Sequence, residues 1–210
     1  LADGKTIGQG LEEMDKIAAQ TLDETFRTAL SGDSKDYRES SSSLMFAFIL
    51  ALILIYLILA AQFESFKDPF IIMLTVPLAI AGALIFMYTG GITMHIFSQI
   101  GIIMLIGLVA KNGILIVEFA NQKQESGENK MQAIRDAALQ RLRPILMTSA
   151  STVLGLIPLA FATGEGANQR IAMGTAVVGG MLVSTFLTMY IVPAIYSYIS
   201  TNRNVKTETV

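Results

Sequence analysis

The sequence predicts an all-α polytopic membrane protein, with five transmembrane helices preceded by a short α+β segment of a different character. Two observations carry this. Of the 210 residues, 52% are apolar, and they are unevenly spread. Residues 1–42 are polar with more acid than base, whereas long apolar runs follow from Leu44 onward. A run of about 18 or more nearly uncharged apolar residues is long enough to cross a bilayer as a helix. Stretches at about 44–62, 69–89, 96–120, 144–163 and 171–199 meet that requirement.

The expected domains are therefore 1–42, the end of a soluble domain, then a membrane domain over 43–200, then a tail at 201–210. In the first, "GKTIGQGLEEMDKIAAQTL" sets Ile7, Leu11, Met14, Ile17 and Ala18 on one helical face with charge opposite. "TFRTALSGD" reads as a short strand running into a turn, and "SKDYRESSSS" as a polar lead into the first span. About 40 residues cannot bury a core alone, so this piece needs a larger domain to pack against. The chain opens on Leu1 rather than Met and reads as a fragment of a longer protein.

The spans carry marks of helix packing. Gly101, Gly107, Gly174, Gly179 and Gly180 allow backbones to approach closely. Pro77, Pro158 and Pro193 fall inside apolar runs, where each is a place for a local kink. Lys and Arg in short loops set the orientation. The segment 121–143 holds Lys123, Lys130, Arg135, Arg141 and Arg143, the tail holds Arg203 and Lys206, and Lys67 lies between the first two spans. The opposite turns hold only Arg170. Hence the C-terminus is expected in the cytoplasm and the N-terminal piece outside it.

Composition also excludes. A net charge of −2 argues neither for nor against a nucleic-acid partner, but no basic face is concentrated enough to suggest one, and none is expected. Without cysteine there is neither a disulfide framework nor a thiolate metal site, and no cofactor motif is present. The single histidine, His95, sits at a span edge as an interfacial residue. The spans hold no acid pair and no Ser–His arrangement, which argues against an intramembrane enzyme.

Lys111, in "LIGLVAKNGILIVEFA", is the anomaly. It lies about 14 Å of helix rise from the cytoplasmic end of its span and about 22 Å from the other, too deep to snorkel fully. An unpaired charge near mid-bilayer costs roughly 2.5–3.5 kcal/mol on insertion scales. Such a lysine either sits in a static ion pair or belongs to a proton or ion pathway, and the pathway is the default reading. No acid lies within a turn of it. Glu118 shares its face two turns away, and Glu64, Asp68 and Glu165 lie between spans. The partner is expected from a helix outside this chain.

A second polar feature lies in "RLRPILMTSASTV", where Thr148, Ser151 and Thr152 share a face at i, i+3 and i+4. Such a row either lines a water file or satisfies nearby carbonyls. Arg141 precedes it toward the cytoplasm, positioned to draw protons or to anchor the helix.

Three blocks in order, "GLVAKNGILIVEFA", "RLRPILMTSASTVLGLIPLA" and "AMGTAVVGGM", closely resemble the resistance-nodulation-division (RND) superfamily, specifically its multidrug exporters of hydrophobes and amphiphiles. "AAQFESFKDPFIIMLTVPLAIAGAL" agrees, and the likeness covers essentially the whole chain. The resemblance implies the second half of an RND transmembrane domain: the end of a periplasmic porter portion and the last five of twelve helices. It implies an inner-membrane homotrimer, joined to a periplasmic adaptor protein and an outer-membrane channel, that exports amphiphilic drugs using protons as the coupling ion and no other cofactor. The family's relay residues carry over as Lys111, Thr148 and Arg141, with Asn112, Ser151 and Thr152 as secondary candidates. The family's aspartate pair belongs to the missing N-terminal half of the subunit, so activity of this chain alone is in doubt. Membrane lipids are the remaining expected partners. The alternatives are an RND relative exporting lipids or metal ions, and a non-transporting structural membrane fragment.

Overall fold

The computed structural model describes residues 7–23 and 26–201, in seven helices: α1 (Ile7–Thr21), α2 (Asp33–Phe63), α3 (Lys67–Met73), α4 (Thr75–Thr89), α5 (Ile96–Glu125), α6 (Lys130–Ala160) and α7 (Ala167–Ile199). Five spans are long and apolar enough to cross a membrane, with α3 and α4 together forming the second. Each of the five expected segments is therefore represented by helix, the fourth ending at Ala160 rather than 163. The tail with Arg203 and Lys206 lies outside the described residues.

The second span is broken at Leu74. Proline at position 77 has no N–H to give the carbonyl of Met73, and its ring crowds that carbonyl, so the hydrogen-bond ladder is interrupted there. The hydroxyl of Thr75 caps the break by donating to the carbonyl of Ile72 at 2.7 Å. The other two flagged prolines, Pro158 and Pro193, remain inside continuous helices, as does Pro144.

At the first domain the structure corrects one expectation. The strand anticipated in "TFRTALSGD" is absent: Phe26–Leu30 has no regular structure, and no strand occurs among the described residues. A strand exists only where a neighbour satisfies its backbone N–H and C=O groups, and none is within reach here. The polar lead is itself helical, since α2 starts at Asp33 and runs through the polar-to-apolar boundary at 42/43. On α1, Met14 and Ile17 are exposed, so that apolar face is uncovered. The helix is tied to α2 by the Asp15–Arg38 ion pair at 2.9 Å.

The basic segment between the third and fourth spans is also mostly helix. It shrinks to a turn over residues 126–129, with Gly127 at φ 95° and Asn129 capping α6. Strong helix formers such as Gln, Lys, Met and Arg extend α5 and α6 beyond their apolar stretches.

α7 is the hub, packed against α4, α5 and α6. Its glycines make this possible. A Cβ on Gly174 would lie 2.6 Å from the backbone nitrogen of Ala160 and 2.8 Å from the carbonyl carbon of Leu159. Backbone cannot give way as a flexible side chain does, so Gly174→Ala is expected to destabilise the bundle by about 1–3 kcal/mol. Gly107, by contrast, has nothing within 4 Å of such a Cβ and is no helix contact. Gly107→Ala is the matched control in an unfolding titration and leaves the midpoint unchanged or slightly raised. α2 is the loosest span, with only 6% of its apolar window buried.

Candidate functional site

Asn112 on α5 sits one residue from Lys111 and points the other way, into the bundle, where it is 1% exposed. Its amide Nδ2 donates to Ser149 Oγ on α6 at 3.3 Å and to Thr185 Oγ1 on α7 at 3.4 Å. Thr185 Oγ1 in turn donates to Ser149 Oγ at 3.1 Å. Three helices are thus joined by a buried polar triangle, in a region where leaving such groups unmatched is costly.

This triangle fixes the rotation of α5 and α6. Asn112 and Ser149 face inward, so their preceding neighbours Lys111 and Thr148 face outward, and both are exposed. The two expected relay residues therefore flank one hydrogen bond on adjacent helices. Lys111 forms no ion pair among the described residues, in line with the expectation of a partner outside this chain. Thr148 Oγ1 donates to the carbonyl of Ile145 at 3.1 Å, and Thr152 Oγ1 to the carbonyl of Thr148 at 2.9 Å. Ser151 is exposed beside them, so the hydroxyl row does share a face.

Arg141 is set apart, two turns or about 10 Å of rise from Thr148 along α6. Its guanidinium stacks on the ring of Phe119 with 4.4 Å between carbon and ring centre, an attraction of cation to π face. Its Nε is buried and has no hydrogen-bond partner among the described residues. The structure sets Lys111 and Thr148 each next in sequence to a member of the Asn112–Ser149 bond and leaves Arg141 nearer the α5–α6 end of the bundle.

Sequence reasoning missed a second network at that end. Gln124 Nε2 donates to Tyr196 Oη at 2.7 Å, the Tyr196 hydroxyl donates to Asn121 Oδ1, and Asn121 Nδ2 donates to Asp68 Oδ2 at 3.1 Å. Ser200 Oγ donates to Asp68 Oδ1 at 3.1 Å, and Lys130 Nζ to the Ser200 carbonyl at 2.7 Å. Asp68 is 2% exposed although it lies in the first turn of α3, at the very start of the second span. The chain of bonds ties α3, α5, α6 and α7 together. No group of three or more acidic, histidine or cysteine side chains fit to hold a metal ion occurs among the described residues.

Comparison with known proteins places this arrangement. A profile of the AcrB/AcrD/AcrF family matches residues 1–200. An uncharacterized transporter of Haemophilus influenzae is 40% identical over 205 residues, covering 94% of this chain and 20% of that protein. The toluene efflux pump membrane transporter TtgB of Pseudomonas putida is 38% identical over 95% of this chain and 19% of its own length. The multidrug resistance protein MdtF of Escherichia coli is 39% identical over 93% of this chain and 19% of its own. The chain thus spans about a fifth of the length of the curated relatives it matches. With five membrane-crossing helices and a match that runs nearly end to end, the chain belongs to the AcrB/AcrD/AcrF family of resistance-nodulation-division efflux transporters.

Proposed function

We propose that this chain forms the C-terminal part of a pump that exports drugs and other amphiphilic compounds across a Gram-negative envelope, driven by protons, with Lys111, Thr148 and Arg141 in the relay. The observation that carries the reading is the outward-facing pair Lys111 and Thr148, held in place from behind by the buried Asn112–Ser149–Thr185 triangle. A lysine and a hydroxyl on the outside of an apolar bundle are unsuited to lipid. They suit an opposing helix that supplies carboxylates.

In this scheme ionised aspartates of the absent partner hold Lys111 by ion pairing. Protonation of the aspartates releases it toward Thr148, and the helices shift. The working protein is a homotrimer in the inner membrane with an adaptor and an outer-membrane channel, its porter segment periplasmic and its C-terminus cytoplasmic. Support for the substrate class comes from the relatives named for toluene efflux and multidrug resistance.

The hydroxyl row offers a direct test in a full-length subunit containing this segment. Thr148→Ala impairs export strongly, Thr148→Ser keeps most of it, and Thr152→Ala has a small effect. Drug-resistance titration of cells carrying each variant at equal level reads this out. Equal loss in both alanine variants points to generic helix packing instead.

A further inference from the structure

Thr188 is wholly buried on α7, yet its hydroxyl has no hydrogen-bond partner among the described residues. Its neighbours behave differently: Ser184 donates to the carbonyl of Met181 at 3.2 Å, and Thr185 belongs to the triangle. A residue that served only to fill this space would be valine, which has the same shape and no group to orphan. The hydroxyl therefore calls for an explanation.

The hydrogens of the triangle supply one. Asn112 Nδ2 donates to both hydroxyl oxygens, and those two hydroxyls share a single bond between them. Two hydroxyls carry two hydrogens, so one of them has no acceptor inside the triangle. Thr188 lies three residues beyond Thr185 on the same buried face, about 4.5 Å of rise toward the α5–α6 end. Arg141 lies eight residues from Ser149 toward that same end, about 12 Å of rise, and its Nε is likewise buried without a hydrogen-bond partner among the described residues. Thr188 thus falls between the triangle and Arg141 in depth.

We propose that Thr188 and the Asn112–Ser149–Thr185 triangle bind an ordered water molecule inside the α5–α6–α7 bundle, and that this water is a station for protons passing from the Lys111 level toward Arg141. The water accepts the spare hydroxyl hydrogen of the triangle and hydrogen-bonds Thr188 Oγ1, which gives it the two or more polar partners that a buried water needs. Thr188 acts as a positioning residue: it holds the water and has no contact with substrate. The transport half of this inference rests on the relay reading above.

The test uses a full-length subunit containing this segment, reconstituted in liposomes with an imposed pH gradient and a fluorescent amphiphile. Thr188→Val lowers gradient-driven efflux about tenfold, a barrier change within reach of one lost relay contact, while its melting temperature stays level or rises. Thr188→Ser restores efflux. A density map sharp enough to show ordered water has a peak in hydrogen-bonding range of Thr188 Oγ1 and of Ser149 or Thr185. Wild-type efflux in Thr188→Val, or an empty site in that map, overturns the proposal. So does equal loss in Thr188→Ser, or a lowered melting temperature in Thr188→Val, since either marks a packing role. Lys111→Met is run alongside. Its loss of efflux with normal Thr188→Val sinks this inference alone, whereas efflux persisting in Lys111→Met removes the relay reading and the transport half of this one together.

Discussion

Lys111→Met, in a full-length subunit containing this segment, leaves the protein in the membrane at its normal level and reduces proton-driven export to background. The two halves of that result have separate causes. Lys111 is exposed on the bundle surface, and its neighbour Asn112, not the lysine, holds the helix in place. Methionine matches the lysine stem in length, so packing within these helices is preserved. What disappears is a full charge near the middle of the third span. Placing that charge there costs roughly 2.5–3.5 kcal/mol on insertion scales, and a charge-free variant should insert at least as well. Lys111→Arg is also expected to fail, because a guanidinium is larger, planar and does not lose its proton in this range. Immunoblots paired with drug-resistance titration settle the matter. Full resistance in Lys111→Met cells at wild-type expression would end the relay assignment.

The 210-residue chain expressed by itself is expected to insert into membranes and to transport nothing. Five apolar spans and their flanking charges suffice for insertion. Transport needs more. Lys111, Thr148 and Ser151 face outward without an opposing helix, and α2 and α6 have only 6% and 11% of their apolar windows buried. Polar groups facing lipid are relieved by water entry or by association with other copies, and both make the chain easier to digest. Protease protection in liposomes should therefore be weaker than for the same segment in a full-length subunit. Gradient-dependent efflux of a fluorescent amphiphile by the isolated chain, abolished by Lys111→Met, would contradict this expectation.

How much of this was legible beforehand depended on the range of the signal. The spans are local in sequence, and hydropathy found all five. Their ends were misjudged where helix formers continue beyond the apolar run, as in α2 from Asp33 and α6 from Lys130. The strand was a local pattern without a local partner. At the candidate site, Lys111 and Thr148 stood out because charge and resemblance mark them individually. Ser149 and Thr185 did not, because their importance lies in a bond between residues 36 apart in the chain. Asp68 reads in the sequence as a group between spans, and nothing local marks Ser200, 132 residues away, as its partner. Polar residues near a membrane boundary have two fates, water or burial, and composition does not distinguish them. Only the inward turn of α5 and α7 decides which occurs.

The position of α7 in the bundle has a consequence for biosynthesis. The helix that α4, α5 and α6 all pack against is the last of the seven to leave the ribosome. Until it arrives, the earlier spans must wait in the bilayer as separately stable helices, a condition that their long apolar runs meet. The backbone of α6 stands ready for Gly174, and the paired side chains of Asn112 and Ser149 for Thr185. The largest part of the packing therefore forms late. A nascent chain halted before Ala167 keeps the packing of α5 on α6 and of α4 on α5 but lacks the helix that all three share, which leaves quality-control proteases an incomplete bundle to remove.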